Sequence, residues 1–241
     1  MRLLCYLFAL SLMACQAKTT ESEESTQANQ VTDTSDASNQ IKEAAQETSV
    51  YIQKLDYDTN VWFDLKDLDP SIHLELRYAT DNNFVKEAMY DCGRCFLRRD
   101  VAKAVIRAHQ DLQNQGYGGL KMFDCYRPRP IQWKLWEKVP NPDYVADPRK
   151  GSMHNRGAAV DLTIVDQDGA ELEMGTEFDF FGKEAHHDYT GHSPEIQSNR
   201  DLLKSTLDKQ GFRWIRTEWW HYSYRPKSFE ISDMLWACAQ N

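Results

Sequence analysis

Apolar side chains recur at helical spacing from Asp100 onward, with Val101, Val105, Ala108 and Leu112 on one face before Gly116 and the Gly118-Gly119 pair close the segment. Leu120 to Tyr126 has the length of a strand and ends at Pro128 and Pro130, after which Ile131, Leu135 and Trp136 mark a short helix. Ala158 to Val165 predicts a second strand. Ile196, Leu203 and Leu207 predict a further helix stopped by Gly211, and Phe212 to Tyr224 forms one aromatic-rich, strand-like run. Helices and strands mix without regular alternation, so the pattern predicts the α+β class.

The polarity of the first fifty residues is different. Arg2 precedes an apolar run from Leu3 to Met13, and Leu12-Met13-Ala14-Cys15 closes it, which is the pattern of an export signal. The run falls well short of the roughly 20 apolar residues that a membrane-crossing helix needs. It resembles a bacterial lipoprotein signal, which implies cleavage before Cys15 and a lipid on its thiol; an ordinary cleaved signal is the alternative. Residues 16–50 carry seven acids, two lysines and no aromatic residue. Such a segment cannot bury enough apolar surface to offset its ordering entropy, and it predicts a disordered acidic tether between the anchor and a folded domain at 51–241. The chain of 241 residues has a formal net charge of -9 and no long basic run, which excludes a protein built to bind nucleic acid through its phosphates. The implied destination is the periplasm or cell surface.

Cys92, Cys95, Cys125 and Cys238 lie in the predicted domain. In an exported chain they predict disulfides, with Cys92 or Cys95 joined to Cys125 as the preferred pairing. Half of a structural zinc site at Cys92-x-x-Cys95 is the alternative, although a second Cys-x-x-Cys is missing.

The residues richest in chemistry are Ser152-Met153-His154-Asn155-Arg156-Gly157-Ala158-Ala159-Val160-Asp161 and Glu218-Trp219-Trp220-His221. A turn at Asn155-Arg156-Gly157 would bring His154 and Asp161 towards one point from adjacent strands. Two imidazoles and a carboxylate suit catalytic zinc, so His154, Asp161 and His221 are the candidate ligands, for one Zn²⁺ per chain. Glu218 is the candidate base for a water attacking a carbonyl carbon. A regular strand points residues three apart to opposite faces, so Glu218 and His221 converge only if the strand twists, bulges or ends. His186-His187 is a competing pair whose adjacent side chains diverge, and Trp219-Trp220 is read as core or pocket wall.

Phe123-Asp124-Cys125-Tyr126-Arg127-Pro128, Ser152 to Asp161, Met174-Gly175-Thr176-Glu177-Phe178-Asp179-Phe180, His186-His187 and Glu218 to His221 together resemble the D-alanyl-D-alanine dipeptidase family of zinc peptidases, VanX type. The resemblance implies a single compact zinc-peptidase domain with a small antiparallel sheet flanked by helices. It also implies hydrolysis of D-Ala-D-Ala, with Glu218 as base, Arg127 stabilising the oxyanion, Asp179 pairing with the substrate ammonium and Ser152 lining the pocket. The alternatives are a D,D-carboxypeptidase acting on peptidoglycan stems and a zinc-containing wall-binding protein without turnover.

Overall fold

A computed structural model of the chain describes residues 57–142 and 144–238. The signal at 1–15 with Cys15, and the tether at 16–50, lie outside the described residues. In chain order the elements are β1 (Trp62–Asp64), the short helix α1 (Leu65–Leu68), β2 (His73–Leu74), β3 (Phe96–Arg98), α2 (Arg99–Asn114), β4 (Gly119–Asp124), α3 (Arg129–Lys138), β5 (Ala159–Val165), α4 (Pro194–Lys209), β6 (Phe212–Ile215) and β7 (Glu218–Tyr224). Single 3₁₀ turns lie at Arg77–Ala79, His154–Arg156 and Lys183–Ala185.

The main sheet has the order β2-β4-β5-β7-β6, and its pairs are antiparallel except for the parallel edge strand β2. β1 and β3 make a separate antiparallel pair. Helix α2 buries Val101, Val105, Ala108 and Leu112, the face that its spacing predicted, and packs on β4; α4 packs on β6 and against α2. Ser193 caps α4 by accepting the Ile196 N–H, with Pro194 at the first helical position. Strand β5 is buried along its whole length: Val160, Leu162 and Ile164 join the main apolar core, while Asp161 alternates to the other face.

The aromatic run from Phe212 is two strands and not one. Arg216 and Thr217 link β6 to β7, so the chain reverses there and the aromatic residues face one another across a hairpin. Continuous strand propensity hides this reversal, because the link carries neither Gly nor Pro. Two disulfides complete the frame. Cys95–Cys125 joins the start of β3 to the end of β4, matching the preferred pairing, and Cys92–Cys238 holds the C-terminal segment.

Candidate metal centre and catalytic cavity

Cross-strand register builds most of the centre. Asp124 on β4 faces Asp161 on β5, and Asp161 faces His221 on β7, so these three side chains form one row across one face of the sheet. His154 joins from a 3₁₀ turn ahead of β5, and not from a neighbouring strand as the sequence pattern implied. The reason lies in local hydrogen bonds. Asn155 Oδ1 accepts the Ser152 N–H at 2.8 Å and Ser152 Oγ accepts the Asn155 N–H at 3.2 Å, which winds residues 152–155 into a turn. Gly157 then reverses the chain at φ +65°, where a Cβ would come within 2.3 Å of the Trp62 ring.

The three candidate ligand atoms form a tight triangle. His154 Nε2 lies 3.1 Å from His221 Nδ1, His221 Nδ1 lies 3.0 Å from Asp161 Oδ1, and His154 Nε2 lies 3.4 Å from the same oxygen. A tetrahedral zinc centre with bonds of about 2.0–2.1 Å spaces its ligand atoms about 3.3–3.4 Å apart, so the triangle has the right size. The outer nitrogens are also engaged. His154 Nδ1–H donates to the Cys125 carbonyl at 2.7 Å and His221 Nε2 meets Ser223 Oγ at 3.1 Å, which leaves the two inner nitrogens as lone-pair donors towards one point. Burial alone would lower the His154 pKa, yet the Asp161 charge outweighs it and raises the value, so the pocket favours a cation. Burial likewise opposes charge on Asp161, but the two imidazoles hold its carboxyl well below the usual range. The residues present fit zinc in donor type, spacing and support.

Glu218 Oε2 lies 3.9 Å from His221 Nδ1. The strand distorts to allow it. Pairing of β6 with β7 jumps from Trp214↔Tyr222 to Ile215↔Glu218, so Trp219 to His221 bulge from the ladder and Glu218 and His221 share a side. Burial, aided by Asp161 and Asp179, pushes the Glu218 carboxyl up to about 7. A divalent cation alongside would favour its ionised form.

Arg127 is 8% exposed. Its Nε and one terminal nitrogen donate to Asp124 Oδ2 at 2.9 and 2.6 Å, its other terminal nitrogen donates to Gln132 Oε1 at 3.0 Å, and the guanidinium stacks 4.8 Å from the Tyr78 ring centre. Burial disfavours its charge, but Asp124 holds it firmly protonated. Its backbone is pinned as well. Arg127 N–H donates to the His154 carbonyl at 3.1 Å and Asn155 Nδ2–H to the Arg127 carbonyl at 2.7 Å, which locks this segment to the His154 turn.

His154, Asp161, His221, Glu218 and Arg127 open on one cavity of about 420 Å³, together with Ser152, Asp179, Trp220 and Phe181. Asp179 sits at φ +61° and its Oδ2 accepts the Tyr78 hydroxyl at 3.0 Å. Burial, reinforced by Asp161, pushes its carboxyl up to about 8 despite the Tyr78 hydrogen bond, so a cationic ligand group beside it would favour its ionised form. The structure therefore brings together the seven residues given candidate ligand, catalytic or substrate-binding roles from the sequence.

His186 and His187 stay outside. His187 packs on Trp214, and His186 Nδ1 meets an Arg216 nitrogen at 2.9 Å. Both tryptophans are 2% exposed; Trp220 lines the cavity, while Trp219 donates through Nε1 to Thr176 on another side. Sequence reasoning gave Asn155 only a place in a turn, quoted Asp124 without a role and passed over Tyr78. Asp124 stands three residues before Arg127 and Asn155 three after Ser152, spacings that could have raised both; Tyr78 lies in a stretch with no periodic signal.

Comparison with known proteins gives a consistent result. The M15 peptidase family model, described as D-ala-D-ala dipeptidase, matches residues 58–234. The chain is 38% identical over 165 residues to the D-alanyl-D-alanine dipeptidase of Escherichia coli (strain K12), a match covering 68% of this chain and 85% of that protein. It is 32% identical over 189 residues to the dipeptidase of the same name in Enterococcus faecium, covering 68% and 93% of the two chains. A third similar protein, from Enterococcus faecalis (strain ATCC 700802 / V583) and of the same name, is 31% identical over 179 residues, covering 64% and 88%.

Proposed function

The chain belongs to the D-alanyl-D-alanine dipeptidase family of zinc metallopeptidases, and we propose that it hydrolyses the dipeptide D-Ala-D-Ala to two D-alanines outside the cytoplasm. The observation that carries this reading is the half-buried Asp179 carboxyl group in the same cavity as the His154, Asp161 and His221 triangle. His154, His221 and Asp161 would hold the zinc, which when bound would supply Lewis acidity towards a water and the scissile carbonyl. Asp179 takes the substrate ammonium and so fixes how far the dipeptide enters. Glu218 accepts the proton of the attacking water and returns it to the departing amine nitrogen. Arg127, oriented by Asp124 and Gln132, faces the oxygen on which negative charge develops. Ser152 lines the pocket and, through its exchange with Asn155, holds the His154 turn.

Asp179 argues against the carboxypeptidase alternative, because a longer stem would place a neutral peptide group beside a carboxyl whose ionisation needs a cationic partner such as a substrate ammonium. A wall-binding protein would have no use for Glu218 beside the metal ligands. Export rests on the signal-like start and on the two disulfides, bonds that persist in oxidising compartments; lipidation of Cys15 rests on the signal resemblance. An exported enzyme acts on released dipeptide rather than on the cytoplasmic precursor pool. The test is incubation of the zinc-loaded protein with D-Ala-D-Ala and with a stem pentapeptide, with products resolved by mass spectrometry. Release of D-Ala from the dipeptide alone is expected, and cleavage of the pentapeptide alone would replace this reading with the carboxypeptidase.

A further inference from the structure

Past Glu218 and Trp220 the catalytic cavity adjoins a second one of about 410 Å³, and both are also lined by Tyr144, Phe181 and Thr217. The two differ in charge. The first carries Asp161, Asp179 and Glu218 against Arg225 and an Arg127 already engaged by Asp124 and Gln132. The second is lined by Lys183, His186 and Arg216, with Glu218 at the divide as the acid among its described lining residues.

We propose that this second cavity is the subsite for the leaving residue, and that Arg216, assisted by Lys183, binds a carboxylate carried by that residue. The inference rests on the dipeptidase reading above. With the substrate ammonium on Asp179, the N-terminal residue occupies the first cavity, and the chain beyond the scissile bond continues past Glu218 into the second. A carboxylate placed there without a cation would lose its hydration uncompensated. Arg127 is committed to its own partners and to the developing oxyanion, whereas Arg216 is available on the far side of the base. Its position is fixed relative to Glu218, because it lies two residues earlier in the β6–β7 link and its carbonyl accepts the His187 N–H at 2.9 Å. A guanidinium presents a planar fork that suits a carboxylate. The present neighbours of Arg216 are replaceable: His186 Nδ1 at 2.9 Å and Asp188 at 3.5 Å, the latter with a side chain 61% exposed. Asp188 is therefore a competitor that a bound carboxylate would displace.

The carboxylate has two sources, the α-carboxylate of the leaving residue or an acidic side chain on it, and substrate pairs separate them. Steady-state kinetics of the zinc-loaded enzyme compare D-Ala-D-Ala with its C-terminal amide, and D-Ala-D-Glu with D-Ala-D-Gln. Arg216→Gln should reduce the preference for the acid in one of these pairs by about fivefold, the scale of a partly exposed charge pair, through KM with kcat little changed. Loss in the first pair assigns the α-carboxylate, and loss in the second assigns the side chain. Asp188→Asn should increase the same preference, a change that a merely structural Arg216 would not produce. Calorimetry with D-alanine and D-alaninamide, the leaving residue and its neutral analogue, gives a readout independent of turnover. Equal acid-to-neutral ratios in the wild type and Arg216→Gln, in kinetics and in calorimetry alike, would overturn the subsite. If the wild type cleaves none of the dipeptides, the dipeptidase reading fails, while selective calorimetric binding of D-alanine that Arg216→Gln abolishes still supports a carboxylate site.

Discussion

Replacing Glu218 with Gln separates catalysis from metal binding. Glu218 Oε2 is 3.9 Å from His221 Nδ1, beside but outside a ligand triangle whose sides are 3.0 to 3.4 Å, so Gln should leave zinc content near one per chain. Gln keeps the size and shape of Glu, but it cannot take a proton from water. General-base catalysis contributes about 10² to 10⁴ in rate, or roughly 3 to 5 kcal/mol of barrier. The expected result is a kcat lower by that factor, with little change in KM, zinc stoichiometry or thermal midpoint. Elemental analysis and calorimetric melting of the same preparation used for kinetics give all the quantities together. An unchanged kcat at full zinc occupancy would remove Glu218 from the mechanism, and loss of zinc together with activity would make it a ligand or a scaffold residue.

Dialysis against a chelator should abolish hydrolysis and added Zn²⁺ should restore it; full activity in a preparation shown to be metal-free would refute the metallopeptidase mechanism. Asp124→Asn removes the charge that faces a guanidinium only 8% exposed, so it should cost on the order of 3 kcal/mol of stability in denaturant titration and lower kcat through a misdirected Arg127, with zinc retained. His109 accepts the Leu120 N–H at Nδ1 (2.9 Å) and meets Ser71 Oγ at Nε2 (2.9 Å), and burial lowers its pKa despite the nearby Asp69. The folded state thus binds fewer protons than the unfolded one. Its contribution is present above the ordinary histidine value of about 6.5 and is lost as the pH falls below it towards the lowered folded value, so zinc-loaded His109→Gln should show a shallower acid decline of the denaturation midpoint than the wild type. Cys15→Ala should release the protein from membranes with its catalysis intact, as membrane fractionation and activity assays would show; a wild-type chain recovered soluble and without lipid would disprove the anchor.

The chemistry at this site was readable from residue types and local spacing. His154, Asp161, Glu218 and His221 offer a candidate zinc donor set and a candidate base by residue type alone, and amphipathic spacing marked α2 because burial of one helical face is a local demand on the chain. Tertiary structure decided what depends on partners distant in sequence. The register that places Asp124, Asp161 and His221 in one row is set by the pairing of β4, β5 and β7, which local periodicity does not encode. The β6–β7 reversal at Arg216-Thr217 and the bulge that turns Glu218 towards His221 arise from the fit of that hairpin to the sheet. The Asp124 charge under Arg127 and the Tyr78 hydroxyl on Asp179 became visible only when the folded chain brought these groups together away from water, since a carboxylate in water needs no protein partner and one taken out of water does.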